Sequence, residues 1–423
     1  MTILITIVIT IVITIISLLI LMNFVTAEKK IQRKLEKHYS IEDPQFIRSV
    51  SALLGPSFLE GNEVIVLTNG IKIFPVMLKA IQKAKQTITF ETFIYWADSI
   101  GEEFAEALSE RASAGVNVHV LLDWLGSVKM EQKQLDKMVK AGVEIQRYHK
   151  PHWSHLPRLN NRTHRKLLII DGKLGFTGGV GIADQWRGNA HNPNEWRDTH
   201  FQVSGPVVAQ MQAVFMDNWI KADGKVLHDL KYFPALKKTG SLPAQMFSSS
   251  PSGGGDSMEL MYLMAITAAQ NSIYLSSAYF VPDELSINAL IAAAKRGVKI
   301  SIITPGKHID THIVRKASRA SWGSMLKANI QIAEYSPTMY HCKIIIIDSL
   351  FVSVGSTNFD NRSFRLNDEA NLNVFDKDFA KEQIKIFNED WAKSHVVTFS
   401  EWSQRTWLEK LLESGSLLFK SQL

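Results

Sequence analysis

One cysteine, Cys342, is all that 423 residues carry. An intramolecular disulfide and a cysteine-rich metal site are both excluded. Disorder, collagen-like repeats and coiled coil go as well. Hydrophobic residues make up 46% and charged residues 21%, enough apolar material for a sizeable core. The length fits roughly two or three domains, or one large domain built in two halves. Acidic residues are outnumbered 41 to 47, giving a net charge of +6 and a pI of about 9.1. That excess points to an anionic partner, lipid or nucleic acid.

Residues 3–25 contain no charge at all and are dominated by Ile, Leu and Val. About 20 such residues cross a bilayer as a helix. Nothing basic precedes the run, as a cleavable signal would require. Lys29, Lys30, Arg33, Lys34 and Lys37 follow it. A membrane anchor over 3–25 and a basic juxtamembrane linker over 26–50 are therefore expected. The positive-inside rule then sets the body on the cytoplasmic side of the cell membrane, with anionic headgroups attracting the basic collar. Thr2, Thr6, Thr10 and Thr14 make a stripe that could pair helices or bond back to its own helix.

From residue 51 onward the chain reads as two copies of one α/β unit. Residues 87–95 are strand-like, 101–114 helical and 116–123 a second strand; 272–280, 285–295 and 298–304 repeat the pattern. Strands alternating with helices indicate βαβ units and a mostly parallel or mixed sheet. Ile88 and Ile273 lie 185 residues apart, Gly115 and Gly297 182 apart. The loop-like run Ser-Ser-Ser-Pro-Ser-Gly-Gly-Gly at 248–255 divides halves expected over 51–240 and 256–423.

Each half carries His-x-Lys-x-x-x-x-Asp: His164, Lys166 and Asp171, then His341, Lys343 and Asp348, offset by 177. In a strand, residues i and i+2 share a face, so His and Lys project together. The apolar run after each Lys reads as a strand buried on both faces. A neutral imidazole can attack phosphorus while a protonated one serves the leaving oxygen. Lysines neutralise the phosphate oxygens, so this chemistry asks for no metal and no cofactor. Phosphoryl or phosphatidyl transfer suits these groups better than acyl transfer.

The two motifs, with Gly355-Ser356-Thr357-Asn358-Phe359-Asp360-Asn361-Arg362-Ser363-Phe364, Tyr279-Phe280-Val281-Pro282-Asp283 and Gly178-Gly179, resemble the phospholipase D superfamily, and within it the bacterial cardiolipin synthases. The resemblance runs from about residue 61 to the end. It implies two tandem α/β/α sandwich halves and a covalent phosphohistidine, with His164 the nucleophile and His341 the general acid/base. Lys166, Lys343, Asn358 and Ser356 would hold the phosphate. Glu369 matches the carboxylate that orients a histidine, and Asp198 is its counterpart in the first half. Asp171 and Asp348, though part of the motif, read as fixing the turn after each strand. One departure stands out: Gly181 occupies the position equivalent to Asn358. Asn160, Asn161 or a backbone amide would have to compensate.

The expected reaction joins two phosphatidylglycerol molecules into cardiolipin and glycerol. The rivals are hydrolysis to phosphatidic acid and, against the anchor, cleavage of nucleic acid. His149, His152 and His155 lack a carboxylate or cysteine at ligand spacing and read as a loop at the site mouth rather than a zinc site. Gly178-Gly179-Val180-Gly181 lacks the rest of a nucleotide fingerprint. Cys342 would point to the strand's opposite face, as core. Trp402, Trp407, Leu408, Leu411, Leu412, Leu417, Leu418 and Phe419 form an amphipathic tail, for the membrane or for the body.

Overall fold

A computed structural model describes residues 2–21, 31, 33–36, 39–148, 150, 160–251 and 257–423. In each half a strand buried at every residue, Thr87–Thr92 or Ser272–Ser277 nearly so, leads through a helix to a parallel neighbour. The crossover helices Ser99–Ser113 and Glu284–Lys295 are started by equivalent aspartates. Asp98 accepts from the Gly101 N–H and Asp283 from the Ser286 N–H, satisfying otherwise orphaned donors. A third parallel strand follows in each half, Glu144–Tyr148 and Gln331–Tyr335.

The other neighbours run antiparallel. Leu167–Ile170 and Lys343–Ile347, which continue the two motifs, pair antiparallel with Thr87–Thr92 and Ser272–Ser277. Each then turns tightly into Leu174–Gly178 or Phe351–Gly355. Short turns permit only antiparallel pairing, whereas the helical crossovers permit parallel. The sheet is therefore mixed: the crossover-linked parallel pairs lie in its outer parts, and antiparallel pairs run through its middle. The two halves are also not separate sandwiches. Leu59–Thr68 pairs antiparallel with Leu242–Ser249 at Leu59 and Asn62, fusing both into one sixteen-stranded sheet among the described residues. One hydrophobic cluster spans the seam, Val64, Phe201 and Met211 with Met246, Val354 and Leu372.

Asp171 and Asp348 both take φ of +51°, in the left-handed region that Asp tolerates. The Asp171 carboxylate accepts the backbone N–H groups of Lys85, Gln86 and Thr87; Asp348 accepts those of Gln270, Asn271 and Ser272. Each pins the start of the neighbouring strand.

Two expected linkers are partly structural. Within 26–50, Ile41, Phe46 and Val50 are buried in the core of the second half, where the Phe46 ring meets Phe351 edge-on at 5.6 Å. The helix Pro44–Leu54 presents Phe46 and Val50 one turn apart, which composition concealed. Ser248 and Ser249 end a strand paired with Ala370 and Glu369. Lys29, Lys30, Lys37 and residues 252–255 lie outside the described residues.

The N-terminal helix Thr2–Leu21 has 20 residues, and its apolar side chains, Ile3 to Leu18 where described, are exposed. In the threonine stripe, Thr10 donates back to the Thr6 carbonyl of its own helix at 2.9 Å. Among the described residues no helix is long and apolar enough to cross a membrane, so the expected anchor remains a proposal.

Candidate active site

Two short parallel pairings build the site. Arg162–Thr163 lies beside Asn367 and Asp368, and the His164 N–H donates to the Asp368 carbonyl at 2.9 Å. In the other half Arg197 pairs with Tyr340, and the His341 N–H donates to the Arg197 carbonyl at 2.8 Å. The segment entering each motif is thus laid beside the stretch of chain that bears the other half's carboxylate. His164 Nδ1 bonds Glu369 at 2.9 Å, and His341 Nδ1 bonds Asp198 at 2.7 Å. The sequence places each carboxylate in one half; the structure gives it to the histidine of the other.

With Nδ1–H donated to a carboxylate, each ring carries its lone pair on Nε2; that of His341 stands 3.2 Å from Lys343 Nζ. Lys166 Nζ donates to the His164 carbonyl at 2.7 Å and Lys343 Nζ to that of His341 at 2.6 Å. All four side chains are buried. Burial holds His164 down to about 4, although Glu369 pulls upward; burial together with Lys343 holds His341 down to about 3. Lys166 is brought down to about 7, by burial first and by Lys343 among the charges, while burial lowers Lys343 too. Burial pushes Glu369 and Asp198 up, but the adjacent histidines and lysines outweigh it and leave both below their ordinary values. Near neutrality the imidazoles are neutral and the carboxylates charged. A phosphodiester anion entering beside the lysines would raise the pKa of both rings.

Asn358 is buried in the same region, with its N–H accepted by Ser363 Oγ at 3.2 Å. Ser356, expected on substrate, instead donates its hydroxyl to Glu369 and accepts the Ala370 N–H. Asp171 and Asp348 are not brought to the site, lying seven residues along extended chain, roughly 20 Å from the histidines. The compensation expected of Asn160 is not seen: its amide bonds Gln422 and Arg362. A Cβ on Gly181 would stand 2.9 Å from Ile94 Cβ and 3.2 Å from the Trp186 ring. Trp186 fills the ground that an amide would need. His149, His152 and His155 lie outside the described residues. No cluster of three or more metal-binding side chains occurs among those described. Cys342 is buried and pushed up to about 12, chiefly by burial, and so is no nucleophile.

Sequence reasoning missed the aromatic wall. Trp186 Nε1 donates to Asp198 Oδ2 at 3.0 Å, and its ring meets His341 edge-on at 5.2 Å; Trp196 stands 5.3 Å from the same imidazole. Phe93 meets His164 at 5.3 Å. Superposing the repeats would have hinted at Trp186. Gly179 stands where Ser356 serves Glu369, so Asp198 needs another donor.

Paired histidine–carboxylate units, two lysines and duplicated mixed sheets define a phosphodiester-handling enzyme of the phospholipase D type. The family model "Cardiolipin synthase, PLD-like domain" matches residues 77–219 and 262–391, and the chain belongs to that family. It is 34% identical over 337 residues to cardiolipin synthase A of Pseudomonas syringae pv. syringae, covering 79% of this chain and 70% of that one. To the cardiolipin synthase of Geobacillus thermodenitrificans it is 33% identical over 365 residues, covering 86% and 72%. The crystal structure of phosphatidylserine synthase from Haemophilus influenzae shares the fold. It has a TM-score of 0.68 at 12% identity, covering 89% of this chain and 99% of that one.

Proposed function

We propose that the protein is a cardiolipin synthase-type phosphatidyltransferase that acts on phosphatidylglycerol. The observation that carries this reading is the crossed pair of buried histidine–carboxylate units flanked by two lysines, in a chain of this family. His164 Nε2 attacks the phosphorus of one phosphatidylglycerol. The bond to the glycerol headgroup oxygen breaks, and His341 supplies that oxygen with a proton. The hydroxyl of a second phosphatidylglycerol then gives its proton to His341, and its oxygen displaces His164 from phosphorus. Lys166, Lys343 and Asn358 hold the non-bridging oxygens, where charge builds. The bound anion also supports the protonated ring that departure requires, by raising its pKa.

The anchor over 3–25 belongs to the same proposal, supported by the exposed apolar side chains of Thr2–Leu21. The basic residues that follow it would set the body at the cytoplasmic face of the cell membrane. Purified protein on phosphatidylglycerol vesicles, beside His164→Ala, tests the reading. Cardiolipin and glycerol in equal amounts, both absent in the variant, are expected. Phosphatidic acid instead would make the enzyme a hydrolase, and neither product would overturn the donor lipid.

A further inference from the structure

The C-terminal helix Trp407–Ser416 is inside out. Its inward side carries Glu413 and Ser416, each 5% exposed. Glu413 is held by Arg319 and Arg405, and Ser416 donates to the Leu412 carbonyl. Its apolar side faces outward: Trp407 is 76% exposed and Leu411 60%, with Leu408 and Leu412 beside them. The turn that follows adds Leu418 at 84% and Phe419. A helix that spends its buried face on an ion pair and turns leucines outward is built for an apolar partner.

The segment also borders the site. Leu417 and Leu423 pack on the same small buried cluster, Ala278, Val281, Val314 and Met339, that Trp196 and Tyr279 also cover, and Trp196 touches His341. The Leu423 carbonyl accepts the Arg362 N–H at 3.1 Å, and Arg362 donates to Asn160, four residues before His164. Apolar side chains therefore run from beside the catalytic imidazole to the outer surface. Exposed Lys410 stands on the helix and exposed Lys316 on the neighbouring helix His312–Ala320, with Lys307 before it; the exposed acid between them, Asp310, accepts the Tyr279 hydroxyl. Glu409, the exposed acid of the first turn, is committed to its capping box.

We propose that this face, from Trp407 to Phe419, docks on an anionic phospholipid bilayer and sets the mouth of the site against it. The inference rests on the phosphatidyltransferase reading. A bilayer suits the observations better than a second copy, because the apolar band continues into the lipid site and carries a cationic margin.

The test uses the full chain with His164→Ala, so that turnover plays no part. Leu411→Cys, Leu418→Cys and Lys173→Cys variants carry an environment-sensitive fluorophore; Cys342 is buried and stays unlabelled. Lys173 follows the Asp171 turn, at the far end of the strand from His164. In phosphatidylglycerol vesicles with spin-labelled acyl chains, positions 411 and 418 should be blue-shifted and quenched and 173 neither. Replacing phosphatidylglycerol by phosphatidylcholine should weaken both effects. Equal behaviour at all three positions overturns the proposal. So does a blue shift that rises with protein concentration at fixed lipid, which would assign the face to a second copy. In the active enzyme, Leu408→Ser/Leu411→Ser/Leu418→Ser should cut turnover on vesicles roughly tenfold while sparing a water-soluble phosphodiester. Quenching without cardiolipin formation would leave the docking standing and sink only the functional reading.

Discussion

At Asp198 an indole does the work that a serine hydroxyl does at Glu369, and the exchange makes the two histidines unequal. Trp186→Phe preserves the ring against His341 and removes the N–H donor. A hydrogen bond to a charged group contributes about 1.5–3 kcal/mol, so kcat should fall roughly tenfold while KM stays. Freed of one donor, Asp198 becomes the stronger acceptor for His341 and raises its pKa. The acid limb of the kcat/KM profile should shift to higher pH; loss of activity with an unmoved limb would reduce Trp186 to packing. Gly181→Asn looks from sequence alone like a restoration. With Ile94 and Trp186 already in the way, it should lower activity, and a gain in turnover would refute the steric account. Alkaline pH supplies the third expectation at this scale. Lys166, held near 7, carries its charge below that value and loses it above. The rate on vesicles should therefore decline between about pH 7 and 8.5, and Lys166→Arg, charged throughout, should flatten that limb. His164, Lys166, His341 and Lys343 were legible because strand alternation sets each pair on one face. Trp186 was not, since an indole five residues past a glycine turn shows no spacing that chemistry demands.

Pairings of one or two residues decide which carboxylate meets which histidine. Nothing local in the chain encodes them: Arg162–Thr163 meets Asn367–Asp368 across some 200 residues. The βαβ units, by contrast, were legible, because their helices, caps and buried strands are local patterns. Glu369→Gln should change the titration of His164 and leave that of His341, read by NMR of labelled imidazoles; the reverse would restore pairing within each half. Asp171 and Asp348 belong to this scale too. Each collects three backbone N–H groups at a turn. Asp348→Asn keeps a residue that tolerates the left-handed conformation and gives up the charge. It should cost about 2 kcal/mol of stability in denaturant unfolding, with turnover per folded molecule nearly intact. Inactivity in a fully folded variant would return the aspartate to the chemistry.

The two halves depend on each other through three separate junctions. Leu59–Thr68 joins Leu242–Ser249 in the sheet, the carboxylates cross, and Ile41, Phe46 and Val50 reach from before the first half into the core of the second. The duplication was plain in the sequence. Its fusion was not, because the seam pairs through only a few residues and the basic composition of 26–50 masked an apolar stripe. A half alone would keep a buried imidazole while losing the carboxylate that orients it, and would expose a sheet edge prone to association. Expressed separately, residues 39–240 and 241–423 should be inactive and poorly soluble. Produced together they should recover activity, since every junction is non-covalent. Phe46→Ala in the first piece removes a ring fully buried against Phe351, at a cost of about 3–5 kcal/mol, and should abolish that recovery while leaving the intact chain active. Turnover by either piece alone would show that the crossed carboxylates are dispensable, and with them the two-half construction of the site.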